Sequence, residues 1–407
     1  MTTVSTPSVY SPSANVASLK ESATIAASGR AKALKAAGKP IIDLGAGEPD
    51  FDTPVFIRDA AKAALDAGAT RYTATEGILP LREQVARQAN RLRAPHLDEV
   101  KANEVVVGAG TKQALFNTCF VLFGPGDDVL IPTPAWTSYF EMVSLSRANP
   151  VAVYGAASDL LASADELARA ATPRTTGLML NSPCNPTGAV YDRARFSEIL
   201  ALAAERGWWV ISDEIYRRIA YDAPAVSALE LAPSRDRLVI VDGVAKSYAM
   251  TGWRIGWAIA PRAVAQQIAN FQSHTTSNPA AVSQHAAVAA LARDDLAEPA
   301  IAAMVAEFRA RRDACLALLA DGPAPAAVHP AGAFYLFVNV SGAATGPDGA
   351  GAAFAARLLE QHHVATVAGS AFGAPDYIRM STAAPLADVR EGLARIIALW
   401  RASTVRG

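Results

Sequence analysis

Between residues 104 and 273, short runs rich in β-branched residues alternate with alanine-rich stretches whose apolar residues recur every three or four positions. An apolar run without polar alternation needs cover on both faces, and the helical stretches supply it. The pattern therefore predicts parallel βα units in one sheet, an α/β architecture rather than a sandwich or a bundle. The runs Glu104–Gly108, Val129–Ile131, Val151–Tyr154, Gly177–Leu180, Trp208–Ser212, Leu238–Val241 and Ile255–Ile259 predict a mostly parallel, seven-stranded sheet. Helices are predicted over Lys112–Phe123, Ser138–Ser146, Asp159–Ala170, Arg193–Glu205 and Ala263–Ser273. After Asp295 a long Ala/Arg helix to about Ala320 leads to strands Phe334–Val340, His363–Val367 and Tyr377–Met380 and a closing helix Leu386–Ala402, a smaller α+β unit. Asn278–Pro279 and Gly322–Pro323 punctuate this pattern as linker candidates, and Ala344–Gly351 reads as a Gly/Ala-rich surface loop.

A chain of 407 residues that is 51% hydrophobic and 18% charged has material for two domains. Its net charge of -1 provides no global field for nucleic acid or a membrane surface, so an anionic ligand must be met locally. No apolar run approaches the roughly 18 residues of a membrane span. Three cysteines, Cys119, Cys184 and Cys315, lack CxxC spacing, which speaks for packing roles in a reducing compartment and against a disulfide framework or a metal site. Residues 1–15 carry no apolar run and no Arg, so no leader is expected and the expected location is the cytoplasm.

Lys246 and Arg254 stand eight residues apart in Val-Ala-Lys-Ser-Tyr-Ala-Met-Thr-Gly-Trp-Arg-Ile-Gly. A lysine flanked by Val, Ala, Tyr and Met loses hydration, which lowers its pKa and frees the amine to attack a carbonyl. An amine for an aldehyde and a guanidinium for a phosphate are what a pyridoxal phosphate enzyme requires. Asn181–Gly188 and Ser212–Tyr216 each end a predicted strand, at the edge where open α/β sheets bind ligands. Asn185 there is either a rigidly held ligand or a turn residue, and Asp213 either pairs with a ring nitrogen or caps a helix. Gly108–Gln113 joins a strand to a helix and offers backbone N–H groups to an anion, without the third glycine of a dinucleotide fingerprint. Trp136 could stack on a planar ring or fill the core. Arg379, inside an apolar strand, calls for a carboxylate from a substrate or from an internal ion pair.

From about Ser22 to Ile397 these segments, with Gly45–Pro54 and Gly332–Tyr335, resemble the class I/II aminotransferases of pyridoxal-phosphate fold type I, in the family's usual order. The resemblance implies that Lys246 carries pyridoxal 5'-phosphate as a Schiff base, that Asp213 pairs with its ring nitrogen, and that Asn185 and Tyr216 bond its phenolic oxygen. It implies a phosphate site from Arg254 and the Gly110-Thr111-Lys112 backbone, a stacking Trp136, and an α-carboxylate grip by Arg379 with Gly47 and Asn185. Tyr72 resembles the tyrosine that reaches the phosphate of a neighbouring subunit, implying a homodimer with shared active sites. Lys112 and Thr24 resemble residues over the distal end of the substrate in the subgroup of bacterial aspartate aminotransferases. The implied reaction is a ping-pong exchange between an L-amino acid, aspartate by expectation, and a 2-oxo acid such as 2-oxoglutarate. Prephenate transamination or another fold type I reaction such as β-elimination is the alternative, and a cofactor-binding regulatory module is the rival from another class. The implied division is an arm over residues 1–20, a small domain from 21–53 and 295–407, and a large domain over 54–294. Two positions depart from many relatives. Gly243 replaces a serine that binds phosphate, so that one hydroxyl contact is missing or is supplied by Ser247 or Thr111, and Ala135 replaces a tyrosine, an expected slight opening of the pocket.

Overall fold

The computed structural model describes residues 11–404 apart from 18, 20–22 and 344–345. Most of the expected arm over residues 1–20 thus lies outside the described residues. The larger sheet has seven strands in the spatial order Val105–Gly108, Gly256–Ile259, Leu238–Gly243, Trp209–Asp213, Thr175–Asn181, Asp128–Thr133, Asn149–Tyr154. The last five are parallel, whereas Gly256–Ile259 runs antiparallel to both of its neighbours. The reversal puts the first residue of that strand at the edge where the others end, and Gly256 pairs with both Gly108 and Gly243. The backbones there are too close for side chains, since a Cβ on Gly256 would lie 2.3 Å from the Thr111 nitrogen. Asn181 and Asp213 pair on the other side of the same edge.

Alternation along the strands divides the core. Val105, Val107, Leu178, Leu180, Val210 and Ile240 face one layer, which includes helices Leu79–Leu92, Arg193–Arg206 and Ala281–Ala292. Val106, Met179, Ile211, Val239 and Val241 face the other, covered by Thr111–Leu122, Ser138–Leu145 and Arg262–Ser273. Helix Ala281–Ala292 also packs on Val55–Asp66 and Leu79–Leu92, so the Asn278–Pro279 punctuation is a turn between two helices that both cover the large sheet.

A second, four-stranded sheet orders Val367–Ala368, Tyr377–Ser381, Tyr335–Asn339 and Ala327–Val328, all antiparallel. Its apolar face packs with helices Ala350–His362, Leu386–Thr404 and the distal part of Asp294–Ala320. Ile42–Asp43 pairs in parallel with Val364–Ala365 and ties the segment before the site to this layer. Among the described residues no helix is long and apolar enough to cross a membrane.

Three local expectations need correction. The helix expected from Asp159 begins at Ala164, because Ser163 and Glu166 form a capping box and Leu160 has φ 59°. Gly351, read as part of a surface loop, lies buried in helix Ala350–His362, where a Cβ would meet the Tyr377 carbonyl oxygen at 2.0 Å. The strand expected over His363–Val367 is broken into two short pieces, and His363 is the left-handed residue (φ 57°) that ends the preceding helix.

Candidate active site

Asp213 and the segments that follow the strand ends Gly108, Asn181 and Gly243, through Thr111, Asn185 and Lys246, line a cavity of about 260 Å³. Just beyond Gly243 the chain buries Val244 and Ala245, which turns Lys246 toward the cavity floor. The Lys246 Nζ donates to the Gly47 carbonyl at 2.6 Å and lies 5.9 Å from the centre of the Phe334 ring. Burial lowers its pKa to about 8, with Glu48 opposing the shift and Arg379 and Arg254 adding to it. A neutral amine is thus within reach near neutral pH.

Asp213 ends its strand beside Asn181, whose Nδ2 donates to the Asp213 carbonyl at 2.9 Å and whose Oδ1 accepts the Asn185 N–H at 2.8 Å. One asparagine therefore shapes the Pro-rich loop and aligns it with the acid. Burial raises the Asp213 carboxyl to about 6, against hydrogen bonds from Tyr139 and the Ile215 N–H that favour the anion. Asp213 is therefore a cavity acid rather than a helix cap. The Tyr216 hydroxyl lies 2.7 Å from that of Tyr335 and also lines the cavity.

At one end stands Arg379, only 1% exposed. Its Nη1 donates to Asn185 Oδ1 at 2.9 Å and its Nη2 to the Gly45 carbonyl at 2.8 Å, while Tyr335 and Phe372 flank the guanidinium at 4.4 and 4.9 Å. Among the described residues no carboxylate is in salt-bridge range of it, and its buried Nε has no partner. The internal ion pair weighed from sequence is thus not what holds it. A buried cation satisfied only by neutral groups can receive an anion.

The other end is built on the start of helix Thr111–Leu122. Gly110 caps it at φ 88°, and a Cβ there would meet Arg254 Nη2 at 2.5 Å. Arg254, itself left-handed at φ 56°, donates to the Thr251 and Ala109 carbonyls at 3.0 and 3.3 Å. Thr111 Oγ1 is buried without a partner. A helix N-terminus, a guanidinium and an unpaired hydroxyl together make a site suited to a phosphate. Of the three readings of Gly243, a missing contact or one from Ser247 or from Thr111, the geometry favours Thr111. A Cβ at 243 would lie 2.7 Å from Thr111 Oγ1 and 2.9 Å from the Gly256 Cα, so Thr111 stands where a larger residue would intrude. Ser247 lines a different pocket, behind the Lys246 loop, with Tyr248 and Asp242. Lys112 reaches across the mouth, its Nζ 4.7 Å from the centre of the Trp136 ring, and burial followed by Arg254 lowers its pKa.

Lys246, Asp213, Tyr216, Asn185, Arg379, Arg254, Thr111, Lys112, Trp136 and Gly47 all line this one cavity, and Gly110 adjoins it through Arg254. Tyr72 does not: it is 92% exposed and outside the lining. The side chain of Thr24 lies outside the described residues, although its neighbour Ile25 reaches the cavity mouth. Ala135, expected to open the pocket, is buried away from this lining, beside a small void near Cys184, because its N–H is tied to the Phe372 carbonyl at 3.1 Å. Sequence reasoning missed Tyr139 and gave Tyr335 no role. The signal for Tyr139 was its position three residues after Trp136, at the start of a helix.

Comparison with known proteins bears on this geometry. The family model described as aminotransferase class I and II matches residues 39–396. The chain is 42% identical over 390 residues to an aspartate aminotransferase of Geobacillus stearothermophilus, covering 94% of this chain and 96% of that one. It is 39% identical over 391 residues to an aspartate/prephenate aminotransferase of Cereibacter sphaeroides, with the same two coverages. The solved structure of the aspartate aminotransferase from Thermus thermophilus with maleate superimposes with a TM-score of 0.89 at 36% identity, covering 96% of this chain and all of that one.

Proposed function

The chain belongs to the class I and II aminotransferases, and from that premise we propose that it moves the amino group of aspartate to a 2-oxo acid, expected to be 2-oxoglutarate, with pyridoxal 5'-phosphate held in the cavity. The observation that carries this reading is the meeting of a depressed lysine, a buried acid and a buried arginine without a carboxylate partner on one cavity. The cofactor fits the residues present: unpaired Thr111 Oγ1 suits its phosphate, and Gly110 leaves room that a Cβ would fill. Bound there, it supplies an aldehyde for the lysine amine and a ring that accepts electrons from the substrate α-carbon.

In this reading Lys246 Nζ would anchor the cofactor in the resting enzyme and, once the substrate amine has displaced it, would take the proton from the substrate α-carbon as a free amine. Asp213 holds a proton on the ring nitrogen, Asn185 and Tyr216 bond the phenolic oxygen, and Trp136 walls the ring. Arg254, Thr111 and the Gly110-Thr111-Lys112 backbone hold phosphate. Arg379, with Asn185 and Gly47, binds the α-carboxylate. Lys112, with Thr24 from the segment before Ile25, meets a second carboxylate. The relative solved with maleate, a dicarboxylate, supports that last role. Prephenate, which also has a second carboxylate, is the second reading, favoured by the name of the Cereibacter relative. The reading includes a homodimer in which Tyr72 of one copy reaches the phosphate in the other, consistent with its exposure, and a cytoplasmic location, consistent with three buried free cysteines.

Three experiments test it. Borohydride reduction of the protein with pyridoxal phosphate, followed by peptide mapping, is expected to mark Lys246, with capture rising between about pH 6, where Asp213 ionises, and about pH 8, where Lys246 loses its proton. Label on another lysine overturns the assignment. Half-reactions with single amino acids are expected to run fastest with aspartate or glutamate, and faster conversion by alanine, leucine or phenylalanine overturns the substrate class. For the dimer, mixing Lys246→Ala chains with Tyr72→Ala chains restores one intact site only if sites are shared, and no recovery rejects sharing.

A further inference from the structure

The acid at the end of the strand Trp209–Asp213 has a partner that the functional reading leaves unused. Tyr139, on helix Ser138–Leu145, is 3% exposed, and its hydroxyl donates to Asp213 Oδ2 at 2.7 Å. The other carboxylate oxygen accepts the Ile215 N–H at 3.2 Å. The same tyrosine ring stands edge-on to Trp136, with centroids 5.4 Å apart at 90°, and its N–H donates to the Trp136 carbonyl at 3.0 Å. Resting on the proposed cofactor reading, we propose that Tyr139 is a positioning residue that keeps Asp213 anionic and fixed in direction, so that the acid can hold a protonated ring nitrogen.

The physical case begins with burial. A carboxylate so enclosed is pushed toward its neutral form, and at about 6 Asp213 would be close to titrating at neutral pH. The groups facing it divide. Lys246, from the loop after Gly243, favours the anion, while Glu214, next along the chain, opposes it. Asp242, on the adjacent strand, and the Tyr216 hydroxyl are each pushed up in part by the Asp213 charge. The Tyr139 hydrogen bond is the largest influence on the side of the anion. Burial, then Asp213 itself, raises the Tyr139 phenol well above its ordinary value, so the proton stays on the tyrosine and the tyrosine stays a donor. Without that donor the acid takes up a proton of its own and can no longer stabilise a cation.

The rival is a packing tyrosine whose hydroxyl has merely found an acceptor. Tyr139→Phe keeps the ring against Trp136 and removes only the donor. In full-length protein freed of cofactor, difference infrared spectroscopy follows the carbonyl stretch of the protonated acid through a pH titration, with Asp213→Asn subtracted to assign the band. The wild-type midpoint is expected near 6. Tyr139→Phe is expected to raise it by about one to two pH units, the worth of one hydrogen bond to a charged group. Pyridoxal phosphate, titrated by fluorescence at pH 7, is expected to bind Tyr139→Phe about tenfold or more weakly. In an Asp213→Asn background the same substitution is expected to change affinity by less than about twofold, because the coupled partner is gone. Should Tyr139→Phe fail to fold, 3,5-difluorotyrosine at position 139, a stronger donor of the same shape, is expected to lower the midpoint. An unmoved midpoint, or an equal loss of affinity in both backgrounds, overturns the proposal. The infrared titration needs no cofactor, so it still decides the role of Tyr139 if the borohydride label shows that the cofactor reading itself is wrong.

Discussion

The two ends of the cavity carry the same charge in opposite surroundings. Arg379 is sealed, braced by Asn185 and Gly45 and clamped between Tyr335 and Phe372. Lys112 leans over Trp136 from the start of its helix, only partly enclosed and without a hydrogen-bonded acid among the described residues. In the proposed reading the difference follows from what each end would recognise, the α-carboxylate at Arg379 and the distal end of the substrate at Lys112. Every α-amino acid presents the same planar carboxylate next to its reacting carbon, and a preorganised guanidinium fork pays its desolvation and ordering costs once, during folding. The far end of the substrate differs between donors and acceptors, and a flexible ammonium on a four-carbon stem can follow those differences. Rigidity at one end and tolerance at the other suit an enzyme that must accept two substrates in turn in one cavity.

Substitutions at the two ends can break or sharpen this contrast. The largest effect is expected for Arg379→Lys, which keeps the charge but loses the fork and two bracing hydrogen bonds: kcat/KM is expected to fall roughly 10³-fold. The fall is expected to be equal for aspartate, glutamate and alanine. A substrate-selective loss would mean that Arg379 does not read the shared carboxylate. Next comes Lys112→Ser, expected to reduce the preference for aspartate over alanine by about 1.5–3 kcal/mol while leaving alanine nearly unchanged. Competition kinetics with the two amino acids check it, and an unchanged preference would move the distal contact to another residue. The smallest effect is expected for Phe372→Leu, which removes one aromatic face from Arg379 and is expected to cost about 0.5–2 kcal/mol in kcat/KM for all substrates alike. Wild-type kinetics in that variant would show that the hydrogen bonds alone hold the guanidinium.

Much of this was legible in the chain because three of the functional groups come at or soon after the end of a strand that reads clearly. Gly177–Leu180, Trp208–Ser212 and Leu238–Val241 are short apolar runs covered on both faces, and Asn185, Asp213 and Lys246 come soon after them. The helices read less well. Ala281–Ala292 is mostly alanine and valine with Ser283, Gln284 and His285 in its first two turns and has no clear amphipathic stripe, and Ala350–His362 opens on Ala-Gly-Ala-Ala, which looks like a flexible loop until Gly351 is seen packed beneath the Tyr377 carbonyl. Tyr139 and Tyr335 were hidden for another reason. Their partners lie 74 and 119 residues away in the chain, at Asp213 and Tyr216.

Sequence by itself determined the βα alternation, hence the large sheet, and the chemical identity of the groups along its carboxyl edge. Those depend on local patterns: apolar periodicity, turn residues and the kinds of side chain that follow them. The tertiary structure alone decided which of these groups meet. It turned Gly256–Ile259 against its neighbours, so that Gly243 packs closely on the Thr111 hydroxyl and Gly256 on the Thr111 backbone, and it kept Tyr72 out of the cavity while bringing Tyr139 in. It also decided which acid and which amine are desolvated. A pKa depends on how completely water is excluded and on which dipoles replace it, and both are set by segments distant in sequence.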